Sequence, residues 1–293
     1  MAFDFYFAGT QCEEANLLMK ELDANVLKSY VNDKKEILKW FEYKRQGWKG
    51  KLLIDNGEFT FHRKGGSLNI DEYIKWLNDN DEYIDYAIAL DKIPGRWGQV
   101  KSREEILKAP QQTWENYCYM YDRVKSPKKL LPVFHQYDDF KWLIQILESG
   151  KPDYICLSGN KELTNAQREY WYDMCYSYIY KINPDIKVHC LGSATMQNAE
   201  KFPFTSMDAT SWIMTGANGS ILTDRGAIYI GNQRLLTDLE KDYLQNILTK
   251  YGLTVEDVLT DYKARMLVNV HYLFDKSAET TFKNNTTTKR RLF

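Results

Sequence analysis

Along the chain, apolar stretches of strand length alternate with longer segments whose apolar residues recur every three or four positions. The strand-like stretches are residues 4–7, 27–31, 51–55, 83–90, 130–134, 154–157, 187–191 and 205–208, of which 27–31 is the weakest. Segments 70–77, 103–124, 137–147, 165–180 and 195–201 carry the helical spacing and begin near Ser, Asp, Thr or Asn, residues that cap helix N-termini. Strands and helices in this alternation make βα units around a parallel sheet. Eight strands predict an α/β fold of the TIM-type (β/α)8 barrel in preference to an open, doubly wound sheet.

The polar residues at the strand ends change the picture. Residues 51–54 run into Asp55, 83–90 into Asp91, 130–134 into His135 and Gln136, and 187–191 into Gly192, while the last stretch ends on Asp208. In a parallel barrel the strand C-termini converge on one rim, where catalytic groups sit. Several acids and an amide on that rim suggest chemistry on a base or a sugar.

After Asp208 the alternation stops. A Gly-rich stretch with a hairpin pattern at 220–231 leads into two helical segments, 237–251 and 255–274, and no repeat or linker forces a split. The expected organisation is a single barrel domain with a C-terminal helical extension over residues 1–275, followed by a polar, basic tail over 276–293. With 293 residues and 44% hydrophobic content, the chain can bury a full core. Met1-Ala2-Phe3-Asp4 has no basic start and carries an acid within a short apolar run, so neither a signal peptide nor a membrane span is expected. The expected setting is soluble and cytoplasmic. Five cysteines without C-x-x-C spacing argue against a disulfide framework and a structural zinc site. A net charge of −1 exerts no global pull on a polyanion, so a nucleic acid would need a local patch.

Two motifs carry a family resemblance. Ile54-Asp55-Asn56-Gly57-Glu58-Phe59-Thr60 resembles the Asp-Ser-Gly-Gly-Phe-Gln motif of tRNA-guanine transglycosylases. It is more similar to the Asp-Ser-Gly-Ala-Phe form of their short phage-type relatives, which include DNA 7-deazaguanine transglycosylases. Ser206-Met207-Asp208-Ala209-Thr210-Ser211-Trp212 resembles the Ser-Val-Asp-Ser-Thr-Ser-Trp motif of those relatives. The order agrees, with Leu90-Asp91 where the family has a base-reading Asp and Val133-Phe134-His135-Gln136 where it has Val-Gln-Gly-Gly. The resemblance spans residues 1–275 and implies guanine replacement in a nucleic acid by a 7-deazaguanine base, without a cofactor. It implies Asp208 as nucleophile and Asp55 as general acid/base, the pair of carboxyl groups that a retaining glycosyl transfer requires. Phe59 would stack on the base, Asp91 and Gln136 would read its edge, and Gly159 and Gly192 would complete the substrate contacts.

The departures from the family bear on the substrate. Full-length tRNA enzymes place the nucleophile in Asp-x-x-Asp, whose second Asp is Ser211 here, so the role falls on Asp208 through the shorter motif. The Cys-x-Cys-x-x-Cys zinc lobe is missing, and Val268 occupies the place of its His ligand. No metal is therefore expected, and DNA is favoured over tRNA.

Plainer readings stand beside these. Asp55 and Asp208 could each only cap the next helix, Asp91 could serve the turn at Ile93-Pro94-Gly95, Gln136 could cap the helix near Asp138, and Phe59 could be core. His135 and His189 read as strand-end histidines that satisfy their neighbours. Gly57 and Gly65-Gly66 read as turns or a phosphate cradle, and Lys125, Lys128 and Lys129 as a solvated face or a backbone contact. Two other functions remain open: a metal-dependent barrel hydrolase using Asp55, Asp91, His135 and Asp208, and a catalytically silent barrel that binds nucleic acid or protein, which Asn56 and Glu58 keep in play.

Overall fold

The computed structural model describes residues 3–9, 12–95, 98–160, 162–192, 195–231 and 235–282. Its strands in chain order are β1 (Asp4–Ala8), β2 (Asn25–Ser29), β3 (Leu52–Asp55), β4 (Tyr86–Ile88), β5 (Leu130–Leu131), β6 (Val133–His135), β7 (Tyr154–Ser158), β8 (Lys187–Leu191) and β9 (Ser206–Ala209). They form one parallel sheet in the order β5-β4-β3-β2-β1-β9-β8-β7-β6. Its two terminal segments, β5 and β6, are separated only by Pro132, which has no N–H to give the ladder. Bonding continues on both sides of the break, from Ala89 N to Leu131 O at 2.9 Å and from Cys156 N to Pro132 O at 2.8 Å. The two edges thus belong to one strand position, and the sheet wraps round as a TIM-type α/β barrel.

Alternation along the strands makes two cores. Tyr6, Ala8, Leu27, Leu53, Ile88, Leu131, Val133, Tyr154 and Cys156 fill the interior, while Phe5, Phe7, Val26, Leu52 and Ile54 face the helices. The weakness of β2 as a sequence signal comes from Lys28. This residue is fully buried, with its Nζ donating to Gly9 O at 2.6 Å and lying 5.6 Å from the Trp40 ring. The expected helices begin at Asn69, Ser102, Thr164 and Thr195, whose side chains accept from backbone N–H groups of the first turn. Four more, Glu13–Glu21, Lys34–Arg45, Glu58–Lys64 and Ser211–Ala217, lie between expected elements. Lys34–Arg45 escapes a reading by hydrophobicity because charged residues surround its buried Ile37, Trp40, Phe41 and Tyr43.

The hairpin is present as β10 (Ser220–Thr223) and β11 (Gly226–Tyr229). The expected helix over 255–274 is two helices, Val255–Thr260 and Tyr262–Glu279, because the Asp261 side chain caps the second by accepting from Lys263 N. That last helix runs past the expected start of the tail at residue 276, and residues 283–293 lie outside the described residues. Val268 is fully buried in an apolar cluster with Ile221, Leu244 and Leu248. Fully buried Asn269 joins the extension to the barrel by donating to Trp212 O and accepting from Leu222 N. Among the described residues, no helix is long and apolar enough to cross a membrane.

Candidate functional site

Period-two alternation turns the last residues of three strand segments, Asp55, His135 and Ser158, toward the C-terminal rim of the barrel, along with Asp208 near the end of β9. Asp91 joins them just beyond β4. Burial pushes the Asp55 carboxyl up to about 7, and the charges of Asp91 and Asp208 add to the shift. Cys156 lies in the interior, and its thiol is raised well above the ordinary value by burial and then by the charges of Asp208, Asp91 and Asp55. The closed barrel brings the strand ends that carry the three acids to the same rim.

A short loop holds Asp55. Gly57, at φ +84°, donates its N–H to Asp55 Oδ2 at 3.1 Å and opens helix Glu58–Lys64. A Cβ there would meet Val31 at 2.7 Å, so glycine answers both the backbone angle and the close approach. Buried Asn56 donates to Ala89 O at 2.8 Å and to Asp91 Oδ1 at 3.0 Å, and its Oδ1 accepts from Glu58 N. Glu58 is itself buried and pairs with Lys92 at 2.8 Å. The two positions that depart from the family motif thus tie the Asp55 loop to the Asp91 loop.

Asp91 is not a turn residue. Its Oδ2 lies 2.8 Å from His135 Nε2, and His135 Nδ1 lies 3.4 Å from Asp138 Oδ2. Burial pulls the His135 pKa down, but its bonds to Asp138 and Asp91 and their charges outweigh this and push it up to about 10. Burial likewise raises Asp91, yet the bond to His135, its positive charge and the Asn56 amide hold this carboxyl below the usual range. The result is an ionised carboxylate beside an imidazolium.

Asp208 is nearly buried, and its Oδ1 accepts from Gly192 N at 2.9 Å. His189, fully buried on β8, brings Nε2 to 3.3 Å from the same oxygen without the alignment of a hydrogen bond. Its Nδ1 contacts Ser206 Oγ, which also contacts Tyr154 OH. Gly192, expected to touch substrate, supplies the amide that bonds Asp208. Gly159 follows β7 and leads into Asn160, whose N–H donates to Gln136 Oε1 at 2.8 Å.

Gln136 neither caps a helix nor points its amide to open space. Its Nε2 donates to Gln167 O at 3.3 Å, so the side chain binds the loop after β7 to the following helix, while Asp139 supplies the cap of helix Phe140–Glu148. The inward residue at that strand end is His135. Phe59 is 52% exposed on helix Glu58–Lys64 and is not core, and Tyr137 beyond His135 is 51% exposed. Lys125, Lys128 and Lys129 precede β5 and therefore lie toward the opposite end of the barrel, bonded to Asn78 O, Asp153 and Asp81 O. Among the described residues, no three His, Cys, Asp or Glu side chains are grouped to hold one metal ion.

No protein-family model and no curated protein matches the chain. A solved structure described as "Structural study of Project ID from Aquifex aeolicus VF5" is similar at 12% identity, over 72% of this chain and 83% of its own, with a TM-score of 0.45.

Proposed function

We propose that the rim exchanges a purine base in a nucleic acid through a covalent glycosyl intermediate on Asp208, with Asp55 as general acid and base. The observation that carries this reading is three carboxyl groups held separately at one rim: Asp55 by the Gly57 amide, Asp91 by Asn56 and His135, and Asp208 by the Gly192 amide. In keeping with these surroundings, burial pushes Asp55 up to about 7 while the His135 partner keeps Asp91 below the usual carboxylate range. Carboxyl groups pushed apart by their surroundings are how one site supplies both a proton and a negative charge near neutral pH.

In the first step, an Asp208 oxygen attacks C1′ as the bond from C1′ to the base breaks, and Asp55 gives its proton to the departing base. In the second, the incoming base loses its ring N–H proton to Asp55 and attacks C1′, and the pair of the C1′–O bond returns to Asp208. Two displacements on one carbon retain its configuration. Ionised Asp91 suits the adjacent N–H groups of a guanine edge, and the half-exposed rings of Phe59 and Tyr137 suit stacking on an extruded base. Resemblance to the short phage-type relatives favours DNA as the polymer and a 7-deazaguanine as the incoming base.

The test is incubation with labelled guanine and single-stranded DNA, duplex DNA or tRNA, followed by denaturing separation. Label entering DNA above tRNA, together with a denaturant-stable adduct, is the expected outcome. Neither label nor adduct with any polymer would overturn the reading.

A further inference from the structure

The interior of the barrel holds a polar chain that ends at Asp208. Tyr154 OH contacts Ser206 Oγ, Ser206 Oγ contacts His189 Nδ1, and His189 Nε2 faces Asp208 Oδ1 at 3.3 Å. Tyr154, Ser206 and His189 are all buried, so their protons are shared among themselves rather than with bulk water. Nothing in the chemistry of the strand ends requires a histidine at this depth.

Proton counting sets the direction of the chain. A hydroxyl has one proton to donate, so Ser206 can donate to only one of its two partners. If Tyr154 donates to Ser206, then Ser206 donates to His189 Nδ1, and the ring proton must sit on Nε2, facing the carboxylate. The reverse direction leaves a proton on Nδ1 and, unless the ring is doubly protonated, aims the Nε2 lone pair at a carboxylate oxygen, which is repulsive. The favourable arrangement puts hydrogen on Nε2 whatever the charge on the ring. Gly192 N–H then bonds Oδ1, and His189 Nε2–H faces the same oxygen at 3.3 Å without the alignment of a hydrogen bond, while among the described residues Oδ2 has no hydrogen-bond partner.

We infer that His189 is a positioning residue for Asp208: Tyr154 and Ser206 fix its tautomer, and its Nε2–H faces Oδ1 beside the hydrogen bond from the Gly192 amide, so that Oδ2 is the attacking oxygen. The inference deepens the proposed function and rests on it for its kinetic consequence. In the ester formed by attack, Oδ1 becomes the carbonyl oxygen and keeps the Gly192 bond and the facing His189 N–H. When the incoming base displaces Oδ2 from C1′, the returning negative charge develops on a carboxylate that two donors already face. The 3.3 Å contact would shorten as that charge returns.

The first measurement is the nitrogen chemical shifts of the His189 ring in the intact protein, assigned by loss of the signal in His189→Leu; the chain contains only four histidines. The expected result is a protonated Nε2 and a hydrogen-bond-accepting Nδ1, with Ser206→Ala shifting the balance toward the Nδ1–H form. The second is single-turnover formation and breakdown of the covalent adduct. His189→Leu should slow both by about 10- to 100-fold, as loss of an orienting partner does elsewhere, with unchanged nucleic-acid affinity. His189→Gln, whose amide N–H reaches the Nε2 position, should recover much of the loss. An Nδ1–H tautomer in the wild type, or adduct kinetics equal in His189→Leu and wild type, would overturn the inference. A wild type that forms no adduct would refute base exchange itself, and the ring shifts would still decide whether His189 holds Asp208.

Discussion

Asp91 Oδ2 and His135 Nε2 stand 2.8 Å apart at the mouth of the barrel, each the counter-ion of the other. The His135 pKa is raised from 6.5 to about 10, so its contribution to stability is complete below pH 6.5 and is lost as pH rises through 10. Ring-nitrogen spectra should show His135 still protonated at pH 8 in the wild type. In Asp91→Asn its titration should move down toward neutrality, held only by Asp138. A wild-type His135 that titrates near its ordinary value would refute the ion pair. The same substitution should damage selection of guanine over other bases more than the rate, by about 1–3 kcal/mol for a lost edge contact.

Asp55 makes the stability of the protein depend on pH in a particular window. Its pKa rises from 3.8 to about 7 on folding, so the folded state keeps a proton that the unfolded chain gives up. Stability therefore falls as pH climbs from about 4 to about 7. Asp55→Asn has no such proton, and its melting temperature relative to the wild type should climb across that window and level off above it. Parallel melting curves at all pH values would contradict the shift. Adduct formation in the wild type should also decline above about pH 7, as the acid loses its proton.

Asp208→Asn keeps the shape and removes the attacking charge. Covalent adduct and base exchange should both vanish, while binding to single-stranded DNA survives within a factor of about two to three, which gel trapping and anisotropy would separate. Exchange that persists in this variant would move the chemistry to another residue.

Gly57→Ala should act on stability and on Asp55 together. A non-glycine residue at φ +84° costs about 1–3 kcal/mol, and the added carbon would press on Val31 at 2.7 Å. Urea denaturation should show the loss, and the pH window of Asp55 should shift because the amide that bonds its Oδ2 moves. A variant as stable as the wild type would mean that the loop relaxes freely.

The barrel was legible because its strands are short apolar runs that end on polar side chains, and Asp55, Asp91 and Asp208 could be placed on one rim from that pattern alone. Three things escaped it. Lys28 weakens β2 as a signal, since a lysine that folds under Trp40 and bonds Gly9 O looks like solvent-facing charge. Asp261 divides the C-terminal helical segment because its carboxylate caps helix Tyr262–Glu279, a role that spacing does not show. His135 reads in the sequence as a strand-end histidine, although strict alternation from Val133 turns it inward, where it meets Asp91. The same alternation marks His189 on β8, but its partners Ser206 and Tyr154 belong to other strands and meet it only in three dimensions.

The pairing of β1 with β9, which sets Tyr6 beside Asp208, bears on when the protein becomes competent. Asp55 and Asp91 leave the ribosome before Asp208, which lies more than 100 residues further along the chain. Contacts this distant along the chain form late, because a long loop must close before they repay its entropy. A nascent chain that has not yet reached β9 would carry Asp55 and Asp91 without Asp208. Under the proposed function, the closing strand would make chemistry on the polymer wait for a finished ring.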